Sequence, residues 1–155
     1  MIEITLTKWE CAQAAIVGVL RQTEAIGRNL KSKLPSSNPF QIHCEGACGE
    51  MAASKAIDRY WSGSVNTFKN GGDIGEKVQV RTASKPDGKL VVRSDDRDDD
   101  YFILVTGQAP TYYVHGWLLG KDAKKAKYLD NPAGRGEAWF VPQSDLRPLD
   151  TLPEA

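Results

Sequence analysis

The sequence predicts an α+β or mixed α/β fold, and three observations carry that reading. Apolar residues recur at helical spacing in the first third of the chain, they alternate at strand spacing afterwards, and turn chemistry separates the later segments. Helices first and strands after describe a central mixed β-sheet flanked by helices, with an extra long helix at the N-terminus.

Thr7 and Glu10 have capping-box spacing and open the first helix. Trp9, Ala12, Ile16, Val19, Ile26 and Leu30 then follow at helical intervals, with Arg21, Glu24 and Arg28 on other faces. This predicts a helix over about residues 7–30, ended by the loop chemistry of Leu34-Pro-Ser-Ser-Asn-Pro39. An Ala-, Met- and Lys-rich stretch predicts a second helix from about Ala47 to Trp61. Val65 to Phe68 is a short strand and Asn70-Gly-Gly72 a turn. Val78 to Thr82 alternates cleanly, and Lys85-Pro-Asp-Gly88 turns into Leu90–Val92. Ser94 to Asp100 carries five aspartates and one arginine, which predicts a solvated hairpin turn that discourages edge pairing. Tyr101–Val105 and Tyr112–Leu119 are strands, Lys121 to Lys127 a helical turn, and Glu137 to Val141 the last strand.

The length of 155 residues suits one domain with one sizeable core. Twenty basic and twenty acidic side chains cancel, which argues against a non-specific nucleic-acid coat but leaves room for a basic face. The start has no basic leader segment, and the best apolar run, Ala12 to Leu20, is short and interrupted by Gln13 and Gly18. No membrane is expected, and the cytoplasm is the expected location. Cys11, Cys44 and Cys48 are an odd number in a domain that needs no staples, which suits reduced thiols.

The segment Gly72-Asp-Ile-Gly-Glu-Lys-Val-Gln-Val-Arg81 carries the most chemical information. Side chains two apart on a strand share a face, so Val78, Val80 and Thr82 turn to the core while Gln79 and Arg81 turn together to the other side. Asp73 enters just before them. Glu50 adds a second carboxylate from the second helix, on one stripe with Ser54, Ile57 and Trp61. Oxygen ligands for a hard cation beside an arginine for phosphate charge are what phosphodiester hydrolysis requires.

On these residues the chain resembles the PD-(D/E)XK nuclease superfamily: a helical glutamate (Glu50), an aspartate (Asp73), and a strand with the spacing Gln79-Val80-Arg81. Glu45-Gly-Ala-Cys-Gly-Glu50, Gln79-Val-Arg81, Gly116-Trp117 and Phe140-Val-Pro-Gln143 look like a group of small phage and prophage proteins, over about residues 42–149. The resemblance implies a restriction-endonuclease-like core and a Mg²⁺- or Mn²⁺-dependent endonuclease acting on nucleic acid, DNA ahead of RNA. Glu50, Asp73 and Gln79 would hold the metal, and Arg81 would contact the scissile phosphate. The superfamily usually has Asp or Glu at the position of Gln79 and Lys at that of Arg81. A glutamine brings no charge to a metal, and an arginine stays protonated and cannot serve as a base; Gln79→Glu would restore the missing charge. The competing function is a catalytically inactive nucleic-acid- or protein-binding module of a phage on the same fold, which Gln79 and the zero net charge favour.

Plainer readings stand beside these. Glu50 can complement a helix N-terminus, Asp73 can be a turn residue, and Gln79 and Arg81 a solvated strand face. His43, Cys44 and Cys48 lack the second pair that a structural zinc needs. The aspartate run lacks the glycine and final glutamate of an EF-hand loop. Tyr113, His115 and Trp117 alternate onto one face as sheet packing. The apolar stripe of the first helix needs a covering surface, either the sheet or a second copy of the chain as a homodimer.

Overall fold

The computed structural model describes residues 1–29, 38–65, 71–134 and 136–154. Its first element is a strand that the periodicity does not announce, β1 (Ile2–Thr5). Four alternating residues are too few to register alone, and β1 is held by antiparallel pairing far along the chain, Ile2 opposite Val114 and Thr5 opposite Thr111. Thr7 then caps α1 (Lys8–Gly27). The Glu10 amide donates to the Thr7 hydroxyl at 3.2 Å, and the Thr7 amide donates to the Glu10 carboxylate at 2.8 Å, so the capping box is formed. Leu30 and most of the loop expected from Leu34 to Pro39 lie outside the described residues.

Asn38 and Pro39 open a helix rather than close a loop. The Asn38 side chain accepts from the Phe40 amide at 3.1 Å, and Pro39 takes the first helical position, where no N–H is needed. This helix, α2 (Pro39–Ala56), therefore starts well before Ala47 and stops before Trp61, with Asp58 in left-handed backbone (φ 52°) just beyond it. Val65 is a bend, and the rest of the strand expected at Val65–Phe68 lies outside the described residues.

Small residues set the helix packing. A Cβ on Gly18 would lie 2.5 Å from Cys44 Cα and 2.6 Å from Cys44 N, so α1 and α2 meet backbone to backbone. From Ala47 to Ser54 α2 is buried on every side, between α1 and the sheet. The buried stripe of α1 is Ala14, Gly18 and the largely buried Arg21. Its large apolar residues face outward instead: Trp9 is 73% exposed, Ile16 61% and Ile26 58%, with Val19 and Leu20 alongside. None of the described helices is long and apolar enough to cross a membrane.

The expected strands appear as β2 (Val78–Ala83), β3 (Leu90–Val92), β4 (Tyr101–Gln108), β5 (Thr111–Leu119) and β7 (Ala138–Val141), with an unanticipated β6 (Leu129–Asp130) between the last two. The mixed sheet has the order β1-β5-β4-β2, with β2 parallel to β4 and the other neighbours antiparallel. A small antiparallel sheet, β3-β7-β6, lies apart from it. The helical turn expected at Lys121–Lys127 splits into α3 (Gly120–Ala123) and a 3₁₀ turn at Ala126–Tyr128.

Two apolar clusters sandwich the mixed sheet. Val78, Val80, Ile103, Val105, Tyr112 and Val114 face the helices. Phe102, Leu104 and Leu118 face Leu90, Val92 and Val141 of the small sheet. Both long helices thus cover one face, and the small sheet with α3 covers the other, where the sequence suggested helices on both. A β-bulge corrects the aromatic reading of β5. The register shifts between Leu104 and Val105, which pair with Gly116 and Val114 and leave His115 as the extra residue. Trp117 consequently joins Tyr112 and Val114 in the helix-side core instead of sharing a face with Tyr113 and His115.

Candidate functional site

Four side chains meet where α1, α2 and the approach to β2 converge. Arg21 reaches across from α1 and grips Glu50 of α2 with both terminal nitrogens, at 2.8 Å and 2.9 Å. Its Nε donates to the Ser64 carbonyl at 3.0 Å. Trp61 Nε1 donates to the second Glu50 oxygen at 2.9 Å, so both oxygens of this buried carboxylate are engaged. The helical stripe of Ala47, Glu50 and Ser54 places Glu50 inside, as its spacing suggested.

Asp73 follows Gly72 and precedes the short bridge of Ile74 to Val78. Its Oδ2 accepts from the Val80 amide at 2.8 Å, which ties it to the free edge of β2, the side away from β4. Burial pushes its carboxyl up from 3.8 to about 6, and the nearby Glu50 charge adds to the rise; the Val80 hydrogen bond, Arg81 and Arg21 oppose it. Burial and Arg21 hold the neighbouring His43 imidazole below its ordinary value, against the pull of Glu50.

The structure thus brings Glu50 and Asp73 together and turns Gln79 and Arg81 to the other face of β2, from which only the Arg81 charge still reaches Asp73. Val78 and Val80 take the helix side of β2, so Gln79 and Arg81 stand on the side of the small sheet. Gln79 Nε2 donates to Asp100 Oδ2 at 2.9 Å. Arg81 Nη2 donates to Asp96 Oδ1 at 2.8 Å, and its guanidinium lies 5.1 Å from the Phe102 ring centroid. The aspartate run is solvated at Asp95, Asp98 and Asp99, as expected, but it is no hairpin. It carries the chain from one sheet to the other, Asp100 is 1% exposed, and Arg97 Nε also donates to it at 3.0 Å. A glutamate in place of Gln79 would face Asp100 rather than a metal.

Among the described residues no three of His, Cys, Asp and Glu stand together as metal ligands, and the three cysteines are free thiols. A hard cation such as Mg²⁺ takes its ligands from oxygen in octahedral array. Here the Glu50 oxygens already accept from Arg21 and Trp61, and Gln79 is on the far face. The donor set for Mg²⁺ or Mn²⁺ does not fit in this arrangement. Arg21, His43 and Trp61 belong to the site although sequence reasoning gave them no role in it. The signal for Arg21 was its spacing from Ala14 and Gly18, which marks the buried stripe more faithfully than the large apolar residues do.

The raised Asp73 carboxyl makes stability depend on pH. The folded chain binds this proton more tightly than the unfolded one, so the contribution is complete below about pH 4 and is lost as pH rises through about 6. Asp73→Asn keeps an oxygen for the Val80 amide and removes the titration. The variant should exceed the parent by on the order of 2 kcal/mol near neutral pH and match it in mild acid, measured by urea unfolding across that range. Parallel pH profiles for the two proteins would contradict the assignment.

No protein-family model, curated protein or solved structure matches this chain.

Proposed function

We propose that the protein is a catalytically inactive nucleic-acid-binding module on a restriction-endonuclease-like core, serving a phage or prophage in a bacterial cytoplasm. One observation carries the loss of catalysis: both Glu50 oxygens are taken by Arg21 and Trp61. Gln79 and Arg81 are likewise committed to Asp100 and Asp96. Nucleic acid is favoured over a protein ligand because Lys89 and Arg93, beside β3, have no carboxylate partner among the described residues.

The second reading, Mg²⁺- or Mn²⁺-dependent phosphodiester hydrolysis, is favoured by the closeness of Asp73 to Glu50, since a carboxyl raised by burial and by a neighbouring carboxylate marks functional sites. Calorimetric titration with each metal, paired with cleavage assays on single-stranded, duplex and branched DNA, separates the two. The expected result is no metal heat, no cleavage, and DNA binding that weakens steeply with salt. Metal-dependent cleavage that disappears in Asp73→Asn would replace the first reading with the second.

A second copy of the chain across the outward face of α1 completes the proposal, because Trp9, Ile16, Val19, Leu20 and Ile26 form a contiguous apolar stripe. Light scattering should give a dimer mass that Leu20→Glu reduces to a monomer. A parent protein that is already monomeric at high concentration would refute it.

A further inference from the structure

A cleft of about 780 Å³ opens between the free end of β2 and the small sheet. It lies on the same edge of β2 that receives Asp73: the Asp73 carboxylate binds at Val80, and the cleft begins with Arg81, Thr82 and Ala83. Its other wall has an ordered pattern. Lys89, Val91 and Arg93 alternate along β3 and its flanks, so they share one face, while Leu90 and Val92 turn into the core. Val91 pairs across the sheet with Phe140, which sets a half-buried aromatic ring on that face between the two cations. Lys89 and Arg93 are four residue steps apart along the strand, a span of about 13 Å. Arg81 of β2 also lines the cleft and is held by Asp96.

We infer that this cleft holds a short unpaired stretch of nucleic acid, with phosphates on Lys89 and Arg93 and a base against Phe140. The inference rests on the nucleic-acid reading above and adds the kind of strand and its place. An apolar and aromatic surface flanked by cations is how proteins hold single strands, because every base has a face to stack and every linkage a charge. The volume is that of a small-ligand site, enough for one or two nucleotides. Asp95 and Glu137 also line the cleft, so the field is not uniformly positive and affinity depends on the ring as well as on charge. The zero net charge of the chain is consistent with such a local site, since the cations need only be concentrated on one wall.

Fluorescence anisotropy of a labelled twelve-nucleotide oligo-dT (about one single-strand site) and of a duplex of equal length tests this. The full chain is compared with Lys89→Ala/Arg93→Ala and with Phe140→Leu, each checked for an unchanged melting curve. The single strand is expected to bind at least tenfold more tightly than the duplex. The double variant should lose about tenfold or more and reduce the salt slope by roughly 1.4, two single-strand phosphate contacts at about 0.7 each. Phe140→Leu, which keeps an apolar side chain without a ring to stack, should weaken binding severalfold and leave the salt slope unchanged. Tight binding that ignores all three substitutions would overturn the cleft assignment and leave the nucleic-acid reading standing. Preference for the duplex would overturn the single-strand claim. If neither oligonucleotide binds the parent protein, both the inference and the reading beneath it fail.

Discussion

Glu50→Ala should lower the stability of the fold by about 3–5 kcal/mol, the usual cost of removing one partner from a buried ion pair. The carboxylate is held by two Arg21 nitrogens and by Trp61, and the side chains of Glu50 and Arg21 are 9% and 19% exposed. Without Glu50 the Arg21 charge stays between the helices, with the Ser64 carbonyl on its Nε and only the charge of nearby Asp73 to offset it among the described residues, and the indole N–H loses its acceptor. Urea unfolding of the parent and variant measures the loss. The double replacement Arg21→Met/Glu50→Leu should recover most of it, since apolar side chains of similar volume avoid the stranded charge. A loss below about 1 kcal/mol would place the pair among solvated surface contacts.

Gly18→Ala is the second large effect, and it acts through shape alone. The added Cβ would meet Cys44 Cα at 2.5 Å, Cys44 N at 2.6 Å and His43 C at 2.7 Å. All three are backbone atoms, so no side chain can swing aside and the helices must separate. Overpacking of this kind costs roughly 1–3 kcal/mol and occasionally more, against a gain of about 1 kcal/mol in helix propensity. The balance should be a loss of about 2 kcal/mol, seen as a drop in Tm of several degrees. Gly27→Ala is the control: its Cβ would have nothing within 4 Å, so the variant should be at least as stable as the parent. A Gly18→Ala protein that melts with the control would mean that α1 does not lie so close to α2.

The strands were readable wherever burial on one face imposed alternation, as at Val78-Gln-Val-Arg-Thr82 and Leu90–Val92. The pairing of Glu50 with Asp73 was readable for a related reason. A helical stripe and a strand approach both point inward, and an inward carboxylate needs company. What escaped depends on partners distant in the chain. Gln79 and Arg81 have the spacing of a catalytic pair, yet their environment is set by Asp100 and Asp96 on the connection between sheets. Trp117 changed faces because one unpaired residue, His115, shifted the phase of β5. The outward stripe of α1 attracted attention because its residues are large, whereas burial went to Ala14 and Gly18, which allow closer approach.

The position of β1 has a consequence for how the chain is made. Ile2 is synthesised over a hundred residues before its partner Val114. At roughly 5–20 residues per second, a ribosome leaves β1 waiting for several seconds or longer with no strand to join. Over much of that interval α1 and α2 can already pair, but the face of α2 bearing Cys48 and Gly49, which meets Tyr112 and Thr82 in the folded chain, has no sheet to lie against. The nascent chain therefore exposes sticky surface until β4 and β5 are complete, which is when chaperones would engage it. Loop closure of this span makes β1 docking a late, slow event.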